Sequence, residues 1–168
     1  NDACGAITRL VDMGVASYLL ADTIDLIIAQ RLVRVICKDC RESYPATEDE
    51  IYTLGVNLDR VITVGNPQPV DSWQLATRNS QPGTRNAQLT FSRGKGCYKC
   101  NFTGYRGRTA LFEIMNITDD ERELIINMDI AESLYKMVRK KGMVTLREYG
   151  VKQMLKGITT FDEVMQNT

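Results

Sequence analysis

The chain has 168 residues, 43% apolar and 25% charged, as expected of an ordinary globular domain or a domain with a small appendage. Its 21 basic side chains balance its 21 acidic ones, so composition gives no reason to expect a polyanion such as nucleic acid as the main partner. No run approaches the ~18 apolar residues of a membrane span, no basic-then-apolar segment opens the chain, and the absence of histidine excludes Ser/His or Cys/His nucleophilic pairs and mixed Cys/His metal sites.

Ala6, Ile7, Leu10, Val11 and Met13 recur at helical spacing, and Gly14 ends that helix. A second amphipathic run, Tyr18, Leu19, Ala21, Ile24, Ile27, Ile28 and Leu32, reads as another helix. Asp22 and Asp25 near its start and Arg31 and Arg34 near its end suit the helix dipole. The β-branched run 33–36 then leads into Cys37-Lys-Asp-Cys40. After Pro45, Thr47 and Glu50 form a capping box for a short helix to Leu54, closed by Gly55. Residues 58–64 read as a weak strand. Residues 65–88, rich in Gly, Pro, Asn, Ser and Gln, read as an extended or mobile loop, anchored by Trp73, the lone tryptophan.

Residues 89–93 alternate as a strand and run into Cys97-Tyr-Lys-Cys100, bracketed by Gly94, Gly96, Gly104 and Gly107. Residues 108–115 form a second alternating strand. Capping boxes at Thr118–Glu121, Thr145–Glu148 and Thr160–Glu163, with Asp129 capping a helix over 130–141, make the rest helical. Its apolar residues, among them Leu124, Ile125, Leu134, Val138, Met154, Leu155 and Val164, fit one shared core.

The two CxxC pairs carry the chemistry. A two-residue gap lets two thiolates converge on one ion, so Cys37, Cys40, Cys97 and Cys100 supply the four ligands of a closed structural Zn²⁺ shell with no open position for catalysis. The 56 residues between the pairs exceed the spacer of a compact zinc module. Two other readings stand beside it. One is four reduced, buried cysteines acting as small hydrophobes. The other is a redox couple, which would want a thioredoxin-like unit that the pattern lacks. Cys4, the odd cysteine, packs in a core. Four thiolates and one Zn²⁺ leave a net charge of about −2, which Lys38, Arg41, Lys95 and Lys99 are placed to offset. Arg106 and Arg108 flank a glycine beside the second pair, where they meet an anion or simply solvent. No G-x-x-x-x-G-K-[ST] loop is present.

These residues resemble a family. Asn1-Asp2-Ala3, Ala6-Ile7-Thr8-Arg9-Leu10-Val11-Asp12-Met13-Gly14 and Ala29-Gln30-Arg31-Leu32-Val33-Arg34 precede the first cysteine pair. Gly96-Cys97, Cys100, Thr103-Gly104-Tyr105-Arg106-Gly107-Arg108-Thr109, Phe112-Glu113, Gly142-Met143, Thr145-Leu146 and Gly157-Ile158-Thr159-Thr160 with Glu163-Val164 follow. Together they are similar to the C-terminal part of the type II secretion and type IV pilus assembly ATPases, over nearly the whole chain. The resemblance implies an α+β fold in three parts. Residues 1–35 are the end of a RecA-like motor domain, 36–108 a zinc-ribbon-like tetracysteine module with an inserted loop over about 56–93, and 109–168 a helical C-terminal cap. It implies a homo-hexamer on the cytoplasmic face of the inner membrane, working with inner-membrane platform proteins, without nucleic acid. The phosphate-binding loop, the Mg²⁺-binding acidic boxes and the family's histidine then lie ahead of residue 1, so ATP and Mg²⁺ belong to the parent protein and no catalytic residue is carried over. Arg9, Arg31 and Arg34 lie near nucleotide or a subunit interface, or serve helix solubility. The competing class is a free-standing zinc-ribbon module for nucleic acid or protein.

The 168-residue chain alone shows no ATP turnover above background, because it lacks the amide cradle, lysine and hydroxyl that hold phosphates and Mg²⁺. A phosphate-release assay checks this; turnover abolished by a substitution within residues 1–168 contradicts it.

Overall fold

The computed structural model describes residues 2–63 and 89–168, and is mixed α and β with two small sheets. The expectations for the loop over 65–88 and for Trp73 lie outside the described residues. In chain order the elements are α1 (Ala3–Asp12), α2 (Ser17–Thr23), β1 (Leu26–Ile36), β2 (Arg41–Pro45), α3 (Glu48–Leu54), α4 (Leu58–Thr63), β3 (Thr90–Gly94), β4 (Tyr105–Asn116), α5 (Asp119–Ile126), α6 (Tyr135–Lys140), α7 (Leu146–Leu155) and α8 (Phe161–Asn167). β1 pairs with β4 and β2 with β3. The chain divides into two compact units, Asn1–Arg31 with Leu111–Leu146, and Leu32–Ala110 with Arg147–Thr168.

In the first unit, the Asp2 carboxylate accepts the Gly5 amide at 2.6 Å and starts α1; Gly14, at φ +90°, follows its end. The second apolar run is not one helix. It is helical only over α2, and from Leu26 it is strand. Ile24, Ile27, Ile28, Val33, Val35 and Ile36 are β-branched, which suits a pleated surface better than a helix once β4 is there to pair with. Ile7, Leu20, Met115, Ile117, Ile125, Leu134 and Val138 form the core of this unit. Cys4 is buried among them, its Sγ 3.6 Å from Met115 Sδ, and burial, with Asp2 and Glu113 nearby, pushes its thiol up to about 12. A thiol held neutral in this way is inert packing. The helix expected over 130–141 opens with a π-helical turn, Ile130–Leu134, before becoming α6.

Glu113 lies on the buried face of β4 between Leu111 and Met115. Its two carboxylate oxygens accept the amides of Ala3 at 2.7 Å and Leu146 at 3.0 Å, the first residues of α1 and α7. One anion thereby satisfies orphan donors at two helix starts. At α5, Glu121 is fully buried. Its carboxylate accepts the Thr118 amide at 3.0 Å and meets Lys141 Nζ at 2.7 Å. Burial alone would raise the Glu121 pKa; the bonds from Lys141 and Thr118 outweigh burial and hold it below its ordinary value.

In the second unit, β2 and β3 are antiparallel, with Arg41 opposite Gly94 and Tyr44 opposite Phe91. Phe91 is fully buried, edge-on to Tyr44 and stacked on Phe161, in a core with Leu54, Val61, Val151, Met154 and Val164. The Thr47–Glu50 box forms in both directions, at 3.2 and 2.9 Å. Residues 58–63 are helix α4 rather than strand, because Asn57 Oδ1 accepts the Arg60 amide at 3.1 Å and so starts a helix. The apolar residues expected to share one C-terminal core are divided. Ile125, Leu134 and Val138 belong to the first unit's core, and Met154, Leu155 and Val164 to the second's. Apolar periodicity marks a buried face without saying what covers it.

Glu113→Ala strands two buried amides and lowers stability by about 1–3 kcal/mol, read from the urea midpoint of the zinc-replete chain; Glu113→Gln, which keeps one acceptor oxygen, loses less. An unchanged midpoint for Glu113→Ala contradicts the anchoring role.

Candidate metal centre

The first cysteine pair lies between β1 and β2, the second between β3 and β4. Backbone bonds tie the two together. The Cys37 amide donates to Gly104 O at 2.9 Å, and the Lys95 amide donates to Cys40 O at 3.0 Å. In the second pair, Cys97 O accepts the amides of Cys100 at 3.1 Å and Phe102 at 2.9 Å, and Cys100 O accepts the Thr103 hydroxyl at 2.7 Å. That tight turn puts Asn101 and Phe102 at φ +51° and +60°, and Gly104 at +77°. The β3 and β4 backbones cross so closely that a Cβ on Gly94 would lie 2.1 Å from Gly104 O, which is why glycine stands there.

The four sulfurs converge. Cys37–Cys97 and Cys40–Cys100 are each 3.9 Å apart, Cys97–Cys100 is 3.7 Å, and all four lie within 4.8 Å of one another. A tetrahedral ion about 2.3 Å from each sulfur requires edges of about 3.8 Å. A disulfide requires about 2.05 Å; all four cysteines are free thiols. The residues present therefore fit a four-thiolate metal shell. Without a cation the Cys40 and Cys100 thiols shift in opposite directions. Burial pushes Cys40 up, whereas at Cys100 burial is outweighed by hydrogen bonds from the Cys97 and Gly104 amides and from the Cys97 and Cys40 thiols, which bring it down. A metal ion takes all four as thiolates and releases their protons.

Three of the four cations expected to offset the shell are engaged otherwise. Lys99 pairs with Asp39 across the two knuckles, Lys95 meets Glu42 at 2.8 Å, as does Arg93, and Arg41 donates to Gly157 O at 3.3 Å. Carboxylates between and after the cysteines claim Lys95 and Lys99, although Lys99 stays within electrostatic reach of Cys97. Arg34 lies in the same unit as the cysteines. Its guanidinium binds Glu163 at 2.6 and 2.8 Å and stacks 4.0 Å over Tyr105, whose hydroxyl lies 2.9 Å from the Thr160 hydroxyl. Glu163 is 4% exposed and also accepts the Arg34 amide at 2.7 Å. The Thr160–Glu163 box is therefore half made: Thr160 receives the Glu163 amide at 3.3 Å, while the carboxylate turns to Arg34. The Ile36 amide meets Ile158 O at 2.9 Å and the Thr159 hydroxyl meets Arg34 O at 2.8 Å, so the segment before α8 is laced to the strand that delivers Cys37. Sequence reasoning took these residues one by one; a buried carboxylate at the third position of a helix was the available signal.

Fold and site together define a tetracysteine module carried on an α+β chain. The chain belongs to the family described as "Type II/IV secretion system protein", whose profile matches residues 1–166. It is 36% identical over its whole length to type II secretion system protein E of Pseudomonas aeruginosa, and 32% identical to the type IV pilus assembly ATPase PilB of Myxococcus xanthus. It covers 28% and 25% of those two proteins, so the chain spans about a quarter of the length of the curated relatives it matches.

Gly94→Ala forces the two backbones apart and costs about 1–3 kcal/mol. Circular dichroism melts of the zinc-replete protein check this; an unchanged melting temperature contradicts the close crossing.

Proposed function

We propose that this chain is the C-terminal region of a cytoplasmic hexameric ATPase that powers type II protein secretion or type IV pilus assembly, and that its part is a structural zinc site with helical packing surfaces. The observation that carries the reading is a family match running from end to end of the chain while covering only about a quarter of each relative. The phosphate-binding machinery then belongs to the rest of the parent protein, together with ATP and Mg²⁺. Two features support a place at the end of a larger RecA-like domain. Among the described residues β1 and β4 make a two-stranded sheet, and Leu26, Ile28 and Ile114 are about half exposed on it. A wider sheet would cover such residues.

Cys37, Cys40, Cys97 and Cys100 would hold one Zn²⁺, which supplies a cross-link rather than a reactive centre, since four sulfurs leave no open position. Metal binding is then largely folding energy for the knuckles. Among the described residues no helix is long and apolar enough to cross a membrane. The parent would act at the cytoplasmic face of the inner membrane, against platform proteins of the secretion or pilus machine.

The test is to purify the full-length protein that carries this region and measure ATP hydrolysis and mass. The expected result is ATP turnover by a hexamer. A monomer without turnover, in protein shown to contain zinc, contradicts the motor reading and leaves the metal reading standing.

A further inference from the structure

The second unit carries opposite charge at the two ends of its β2–β3 ribbon. At one end, residues 37–42 and 93–108 hold seven basic side chains against two acidic ones, in a chain whose net charge is zero. At the other end, Pro45 leads into α3, whose first turn is Glu48, Asp49 and Glu50 and which carries no basic residue of its own. The register places Arg41 opposite Gly94 at the knuckle end and Pro45 opposite Thr90 at the α3 end, roughly 13 Å apart at the rise of a strand. The ribbon therefore has a basic head and an acidic tail.

Both ends also present large apolar side chains to solvent. Tyr98 and Phe102 at the knuckle are 75% and 77% exposed, and Tyr52 on α3 is 88% exposed. Phe102 holds its ring outward from a left-handed backbone, a conformation that side chains other than glycine rarely adopt. The metal turn fixes that conformation in place. Lys38 and Arg106 are exposed on the same cysteine-bearing segments, and Glu48 and Asp49 are exposed one helical turn before Tyr52. Aromatic anchors with charged rims of opposite sign are the anatomy of a protein interface. The Asp39 carboxylate among the knuckle cations favours a partner of mixed charge, such as protein, over a uniformly anionic surface.

We propose that the basic, aromatic knuckle face of one copy docks on the acidic α3 face, around Tyr52, of a second copy. The two patches differ and sit at opposite ends of one rigid ribbon, so the contact is head-to-tail, and repetition gives a ring or a filament rather than a closed two-fold pair. This goes beyond the proposed function, which names no contact between copies.

The test is sedimentation velocity on the zinc-replete 168-residue protein at low ionic strength across a concentration series. The natural sequence self-associates. Two charge-reversed variants, Glu48→Lys with Asp49→Lys and Lys38→Glu with Arg106→Glu, each weaken association about tenfold or more, and mixing them restores it. p-Benzoylphenylalanine at position 52 cross-links to a peptide containing Phe102 of another copy. Zinc is measured on every variant, so loss of the metal centre and loss of the contact are told apart; if the reversed knuckle loses zinc, the α3 reversal, remote from the ligands, decides. A natural sequence that remains monomeric throughout, an α3 reversal that associates as the natural sequence does, or a mixture of two zinc-replete variants that stays monomeric overturns the proposal.

Discussion

The gathering of four cysteine sulfurs within 4.8 Å of one another is the constraint around which the second unit is built. Ionised together without a cation, two thiolates at the observed 3.7–3.9 Å would repel by roughly 4 kcal/mol at an effective dielectric of about 20, and four in one place would multiply that several-fold. A divalent cation at their centre reverses the sign of the problem. The rest of the unit positions the sulfurs for it: β1 and β3 each run into a cysteine pair, the Gly94–Gly104 crossing brings the pairs together, and Lys99–Asp39 closes the outer side.

The C-terminal segment belongs to this construction. Arg34, two residues before the buried Ile36, is held by Glu163 of α8 and by Tyr105 at the start of β4. Glu163 is nearly buried, so the ion pair works at lower dielectric than a surface pair and loses little to screening on that side, although Arg34 itself is half exposed. Burial alone would raise the Glu163 pKa, but the Arg34 hydrogen bonds and charge hold it below its ordinary value. α7 and α8 pack through Val151, Met154 and Val164 on the same Phe91 core that β2 and β3 make. The helices after Leu146 therefore share a core with the cysteine-bearing unit.

Much of this was legible in the residues, for local reasons. The doubled CxxC spacing named the four sulfurs that converge. Thr47 with Glu50, Gly14 and Gly55 marked helix ends because caps and left-handed turns are set by adjacent residues. What was not legible depended on distant partners. The run from Ile24 to Leu32 has apolar spacing compatible with either helix or strand, and the choice is made by β4, some 80 residues further on. The division of the helical apolar residues between two cores, and Glu113 serving two helix starts, are likewise products of long-range packing. A carboxylate inside the alternating face Leu111, Glu113, Met115 was the one visible trace of the second.

The metal reading of these four sulfurs, one zinc ion per chain, is open to a direct measurement. A tetrahedral sulfur shell suits zinc and iron alike, so identity and geometry are best read together by X-ray absorption at the metal edge on the reduced, purified protein, alongside elemental analysis. The expected result is one zinc per chain with four sulfur neighbours at about 2.3 Å, and loss of that signal in Cys97→Ser. Protein purified under reducing conditions without bound metal, or a shell that includes oxygen or nitrogen, would contradict it.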